Sequence, residues 1–219
     1  MTERRPEPSR GPGRLIETEA DLAEGAVYLA RICPVWARVL PELGPLPLRR
    51  RPDGFEAIAS AVVSQQISIA AAASIWERMV TAGLTSPEGI VAASDEDMRG
   101  AGLSRPKIRY LRGIAGTGLD WSGLRGMPDD EAIAALVALP GIGLWTAEIY
   151  LKFALGRADV LAAGDLALQE AARMLYGLEE RPGPAALRKM AEPWRPWRSV
   201  AARGLWAYYR QLKGREGIR

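Results

Sequence analysis

The sequence predicts an all-α protein. Apolar residues recur at helical spacing along almost the whole chain, Ala, Leu, Arg and Glu dominate those runs, and alternating β-branched stretches are scarce. Hydrophobic residues make up 48% of the 219 residues and charged residues 25%, the balance of a folded soluble chain rather than a disordered one. No apolar run approaches the roughly 18 residues of a membrane span.

In chain order, residues 1–14 are polar and proline-rich, and are expected to form a flexible tail with no signal-peptide core. A helical pattern runs from Leu22 to Leu40 and closes at Pro41; the Pro/Gly-rich stretch to Pro52 reads as a linker. Asp53 then precedes Phe55, Ile58, Ala59, Val62 and Val63, which share one helix face. That pattern breaks at Ser64-Gln65-Gln66-Ile67-Ser68 and resumes through Ala72, Ile75, Trp76 and Met79, so two helices with a polar junction are expected. Short helices follow around Pro87 to Ala93, after Ser94-Asp95-Glu96-Asp97, and from about Pro106 to Ala115, with Gly83, Gly100 and Gly102 as stops. Met127-Pro128-Asp129-Asp130-Glu131 opens a helix to Ala138 with an acidic first turn. Leu139-Pro140-Gly141-Ile142-Gly143 ends it, and Leu144 to Leu155 forms the next.

The chain contains no histidine, which removes Ser-His-Asp and Cys-His nucleophiles and His-ligated catalytic metals together. Acid or base chemistry must therefore use carboxylates. The single cysteine, Cys33, cannot form an internal disulfide or supply a thiolate cluster, and a reducing cytoplasm is the expected setting. Lysine occurs only at positions 107, 152, 189 and 213; every other basic side chain is arginine, whose planar fork suits phosphate. From Arg181 onward ten Arg or Lys face two acids, Glu192 and Glu216, a local net of +8. That segment is a candidate phosphate-facing surface or a solvated basic helix.

Proline and two glycines within five positions force a tight turn between two helices, and the missing Cβ atoms let another molecule approach the backbone. Amides at the start of the following helix point outward as donors to phosphate. A plain turn would use the same residues, so the hairpin alone does not decide.

The hairpin with Leu144-Trp145-Thr146-Ala147, followed about twenty residues later by Ala163-Gly164-Asp165-Leu166-Ala167-Leu168, resembles the helix–hairpin–helix, Gly/Pro-rich, aspartate (HhH-GPD) superfamily of DNA glycosylases. Ser64-Gln65-Gln66-Ile67-Ser68, Gly102-Leu103-Ser104-Arg105-Pro106-Lys107, and Trp194-Arg195-Pro196-Trp197-Arg198-Ser199 with Trp206 extend the likeness over about residues 53 to 210, toward the 3-methyladenine DNA glycosylase II (AlkA-like) group. The resemblance implies two helical subdomains with a helix–hairpin–helix motif and a cleft between them: a central one, 55–155, carrying the hairpin 139–143, and a second that joins 15–54 to 156–219. It implies that Asp165 is the catalytic carboxylate, although its place before Leu166 also suits a helix cap. It implies that Trp145, Trp206 and Ile149 line a lesion pocket, the last where related enzymes carry tyrosine. It makes Gln66, with Gln65, the side chain that fills the gap left by a flipped nucleotide. Leu139, Gly141, Ile142 and Gly143 become a phosphate-binding hairpin, which in the family often holds a structural monovalent cation. Arg105, Lys107 and Arg109 are further candidates for phosphate contact, and Lys152 is expected to face solvent or phosphate.

Glycosylases of this superfamily that also cleave the strand carry a lysine where this chain has Trp145, so a monofunctional enzyme acting on duplex DNA is expected, without organic cofactor and as a monomer. The implied reaction is hydrolysis of the N-glycosidic bond of alkylated bases, above all 3-methyladenine and 7-methylguanine. Two alternatives remain open: another lesion, such as ethenoadenine, hypoxanthine or 1-methyladenine, and a non-catalytic module that binds damaged DNA. Any association with the nucleoid would follow from DNA binding.

Overall fold

Capping residues and proline set the element boundaries. In the computed structural model, which describes residues 11–214, the first helix, α1 (Glu19–Ile32), opens on Thr18, whose hydroxyl accepts the Asp21 amide while the Asp21 carboxylate accepts the Thr18 amide. A break at Cys33, in extended backbone, separates it from α2 (Pro34–Leu43). The single helix expected from Leu22 to Leu40 is thus two, because Pro34 donates no amide hydrogen and disfavours helical backbone in the residue before it. Pro41 does not close α2 but lies inside it, two residues from the end.

The next helix, α3 (Phe55–Ser64), is capped by Gly54 rather than Asp53, whose carboxylate instead pairs with Arg125 at 2.6 and 2.7 Å. Ser68 caps α4 (Ile69–Thr81) by accepting the Ala71 amide. Serines likewise precede α5 (Pro87–Ala92), α6 (Asp95–Gly100) and α7 (Arg105–Ala115), before α8 (Asp129–Val137) and α9 (Leu144–Phe153). The chain ends with α10 (Leu166–Tyr176), α11 (Pro184–Met190) and α12 (Arg198–Lys213). Single 3-10 turns occur at Gly123–Arg125 and Glu192–Trp194. Among the described residues there is no strand, only an isolated bridge between Leu15 and Arg157, and no helix is long and apolar enough to cross a membrane.

Two apolar clusters result. One gathers Ile58, Met79, Ile90, Leu111, Leu136 and Leu151 from α3 to α9. The other gathers Leu29, Trp36, Leu168, Trp194, Leu205 and Trp206 from α1, α2, α10, α12 and the turn before α12. The α9 helix serves both, because Leu151 packs in the first and Phe153 in the second.

Between α9 and α10 the chain is irregular yet buried, so its polar groups need partners. Arg157, fully buried, donates through Nη2 to the carbonyls of Leu124, Arg125 and Met127 and pairs with Asp129 at 3.3 Å. Ser199 donates to the Arg157 carbonyl (2.6 Å) and accepts the Val160 amide. This buried strap fixes where α10 begins.

Of the expected tail, residues 1–10 lie outside the described residues. Arg14, assigned to that tail, is anchored: its carbonyl accepts the Ala158 amide, its guanidinium pairs with Glu24, and it lies 4.4 Å from the centroid of the Trp197 ring.

Candidate active site and nucleic-acid interface

Asp165 is the N-cap of α10 and is 6% exposed. Its Oδ1 accepts the amides of Ala167 (2.9 Å) and Leu168 (3.1 Å) and the indole N–H of Trp206 (3.3 Å). Its Oδ2 accepts the indole N–H of Trp145 (3.2 Å). Four donors and no acceptor surround it, so the arrangement fixes an acceptor-only carboxylate at a helix N-terminus. Cap and catalyst, alternatives at the level of sequence, are geometrically compatible in one side chain.

Trp145 stands on the first turn of α9 and is 40% exposed, forming the rim between the carboxylate and solvent. Ile149, one turn on, is half-buried against the second cluster. Trp206 departs from expectation. It is 4% exposed, its ring stacks on Phe153 with centroids 5.7 Å apart, and the Lys152 Nζ lies 4.3 Å from its ring centroid. No ring face is open to a flipped base, and Trp206 meets the site through its N–H alone. Lys152 also departs from expectation: it is fully buried rather than facing solvent or phosphate, and burial pushes its ammonium well below the usual lysine range. Glu148, which no motif singled out, is buried one turn before it, paired through Oε1 with Arg188 at 2.6 Å, and its carboxyl is pushed up by burial.

The hairpin stands at the start of α9. Leu139 and Ile142 are buried and anchor it, while Gly141 and Gly143 are exposed. Gly141 has φ 79°, and a Cβ there would lie 2.5 Å from the Tyr110 ring of α7. Gly143 caps α9 in extended backbone with open space where a Cβ would stand. Gln65 donates to the Gly141 carbonyl (3.0 Å), which ties the polar junction to the hairpin. Gln66 is exposed and held at φ 60°, a left-handed conformation uncommon for a residue with a Cβ.

One of the other expected phosphate contacts is diverted inward. Lys107 donates to the Val63 carbonyl at 2.6 Å and so satisfies the end of α3, whereas Arg105 and Arg109 are exposed on α7. Within the basic C-terminal segment, Arg188 pairs with Glu148, Arg195 and Arg198 pair with Asp159, and Arg203 is buried against the carbonyls of Ser199 and Leu48. Much of its charge is answered inside the molecule.

Residues 59–196 match the model of the HhH-GPD superfamily of base excision DNA repair proteins. The chain is 31% identical to DNA-3-methyladenine glycosylase 1 of Schizosaccharomyces pombe, over 87% of this chain and 89% of the relative, and 28% identical to the alkylbase DNA glycosidase-like protein mag2 of the same organism, over 87% and 95%. Its fold is similar to that of a DNA-3-methyladenine glycosidase from Bacillus halodurans, with a TM-score of 0.80, 33% identity, and coverage of 92% of this chain and 94% of the other. It is also similar to the S. pombe 3-methyladenine DNA glycosylase in complex with abasic DNA, with a TM-score of 0.69, 30% identity, and coverage of 87% and 97%. The chain therefore belongs to the HhH-GPD superfamily of base excision DNA repair proteins.

Proposed function

We infer that the protein is a monofunctional DNA glycosylase that hydrolyses the N-glycosidic bond of alkylated bases, 3-methyladenine and 7-methylguanine, in duplex DNA. The observation that carries this reading is the Asp165 carboxylate gripped by four N–H donors beside the half-exposed Trp145. Loss of the base builds positive charge on the deoxyribose, and a fixed carboxylate in a water-poor site stabilises that charge without reorganising. The same carboxylate can orient the attacking water. N-alkylated purines are cationic and leave as neutral bases, which lessens the need for a general acid. Trp145 offers an indole face to such a base. Gln66 would fill the vacated stack, and the Gly141–Gly143 amides would hold phosphate. A monovalent cation held by hairpin carbonyls, which are hard oxygen donors, would add positive charge facing the phosphate.

The test is release of free bases from dimethyl-sulfate-treated duplex DNA by the wild type and Asp165→Asn. Asparagine caps helices as well as aspartate, so the melting temperature should stay within about 2 °C while methylpurine release falls on the order of 10²–10³-fold. Binding of that DNA without release by the wild type would reject the methylpurine assignment and leave another lesion or a binding module.

A further inference from the structure

A lysine buried without a partner is costly, and its retention beside a reactive centre calls for a reason. Lys152 has no exposed surface, and its Nζ has no hydrogen-bond partner. The nitrogen lies 4.3 Å from the ring centroid of Trp206, whose N–H donates to Asp165 Oδ1. Charged groups face it from three elements. Glu148 lies one turn earlier on α9, paired with Arg188 of α11; Asp165 caps α10; and Arg203 projects from α12, with Arg49 and Arg50 acting on it in turn. Burial and Arg203 push the ammonium toward the neutral amine, while Asp165 and Glu148 pull it back.

Resting on the alkylbase reading above, we propose that Lys152 is a specificity-determining positioning residue: its charge, held behind Trp206, sets how strongly the Asp165 carboxylate attracts a cation. As an ammonium it offsets part of the carboxylate's field and repels both a cationic base and a cationic sugar. As an amine it leaves that field intact. A cationic lesion carries its charge before and during bond cleavage, so the effect falls on KM more than on kcat.

Two measurements decide it. The first follows 3-methyladenine release from methylated duplex DNA between pH 6 and 9.5, with spontaneous loss subtracted, for wild type, Lys152→Met and Lys152→Arg. Wild-type kcat/KM should rise about tenfold with pH, mainly through KM, the size of one pKa unit of coupling. Lys152→Met should hold the high value throughout, and Lys152→Arg the low one. The second compares binding at pH 6.5 of duplexes carrying a cationic pyrrolidine or a neutral tetrahydrofuran abasic analogue. Lys152→Met should raise the preference for the cation about tenfold. This arm needs no base release, so it stands even if the methylpurine assignment fails. A Lys152→Met profile that tracks the wild type, equal losses in both variants at every pH, or an unchanged analogue preference would overturn the proposal.

Discussion

At Asp165 the two carboxylate oxygens are held differently, three donors on Oδ1 and the Trp145 N–H alone on Oδ2. Trp145→Phe keeps an aromatic face at the rim but removes that single donor. A hydrogen bond to a charged group is worth about 1.5 kcal/mol, so kcat for base release should fall about tenfold with KM changed less than twofold. A change confined to KM would assign Trp145 to stacking only. Gln66 stores a different kind of local cost, its left-handed backbone at φ 60°. Gln66→Gly should raise stability by about 0.5–1 kcal/mol in urea unfolding while excision falls, because glycine takes that conformation freely and cannot fill the stack. A lowered unfolding midpoint would show that no strain is held there. The places of Asp165 at the head of α10, of Trp145 beside it and of the hairpin glycines before α9 were legible in the sequence because motif spacing names them. The burial of Trp206 and Lys152 was not, since helical spacing says which residues share a face and not what closes over it.

Among the elements, the hairpin offers two glycines in opposite situations. A methyl at Gly141 meets the Tyr110 ring at 2.5 Å on backbone of positive φ, whereas one at Gly143 meets nothing. Gly141→Ala should therefore cost about 1–3 kcal/mol of stability. Gly143→Ala should leave the unfolding midpoint within about 0.5 kcal/mol yet weaken duplex binding, because its methyl stands where a phosphate would approach the amides. Normal duplex affinity in Gly143→Ala would remove the hairpin from the interface. Most helices were legible from their periodicity and caps. The split at Cys33 shows the limit: apolar spacing continues across Pro34, and only the backbone rule for the residue before proline marks the break. The strap from Gly156 to Gly164 has no periodicity, and its order comes from Arg157 and Ser199 contacts distant in sequence.

For the molecule as a whole, the buried charges tie folding to pH. Lys152 has its folded pKa depressed, so the folded chain holds that proton less tightly than the unfolded chain, whose lysine titrates near 10.5. Between the folded and unfolded values the unfolded state binds the extra proton, and stability rises with pH there. The contribution is complete above about pH 10.5 and is lost as pH falls through the window toward the folded value. Lys152→Met removes both the titration and a buried donor without a partner. Its melting temperature should thus exceed the wild type's, by a margin that is small near pH 10 and widens toward neutrality. Glu148 acts in the opposite direction: its raised carboxyl pKa makes the folded state hold the extra proton, so stability falls as pH rises through the lower window that starts near 4.5. Melting curves of both proteins from pH 6 to 10 separate the two groups. A margin that is constant across this range would mean that Lys152 contributes packing alone, whereas a margin that closes as pH rises assigns the slope to its proton.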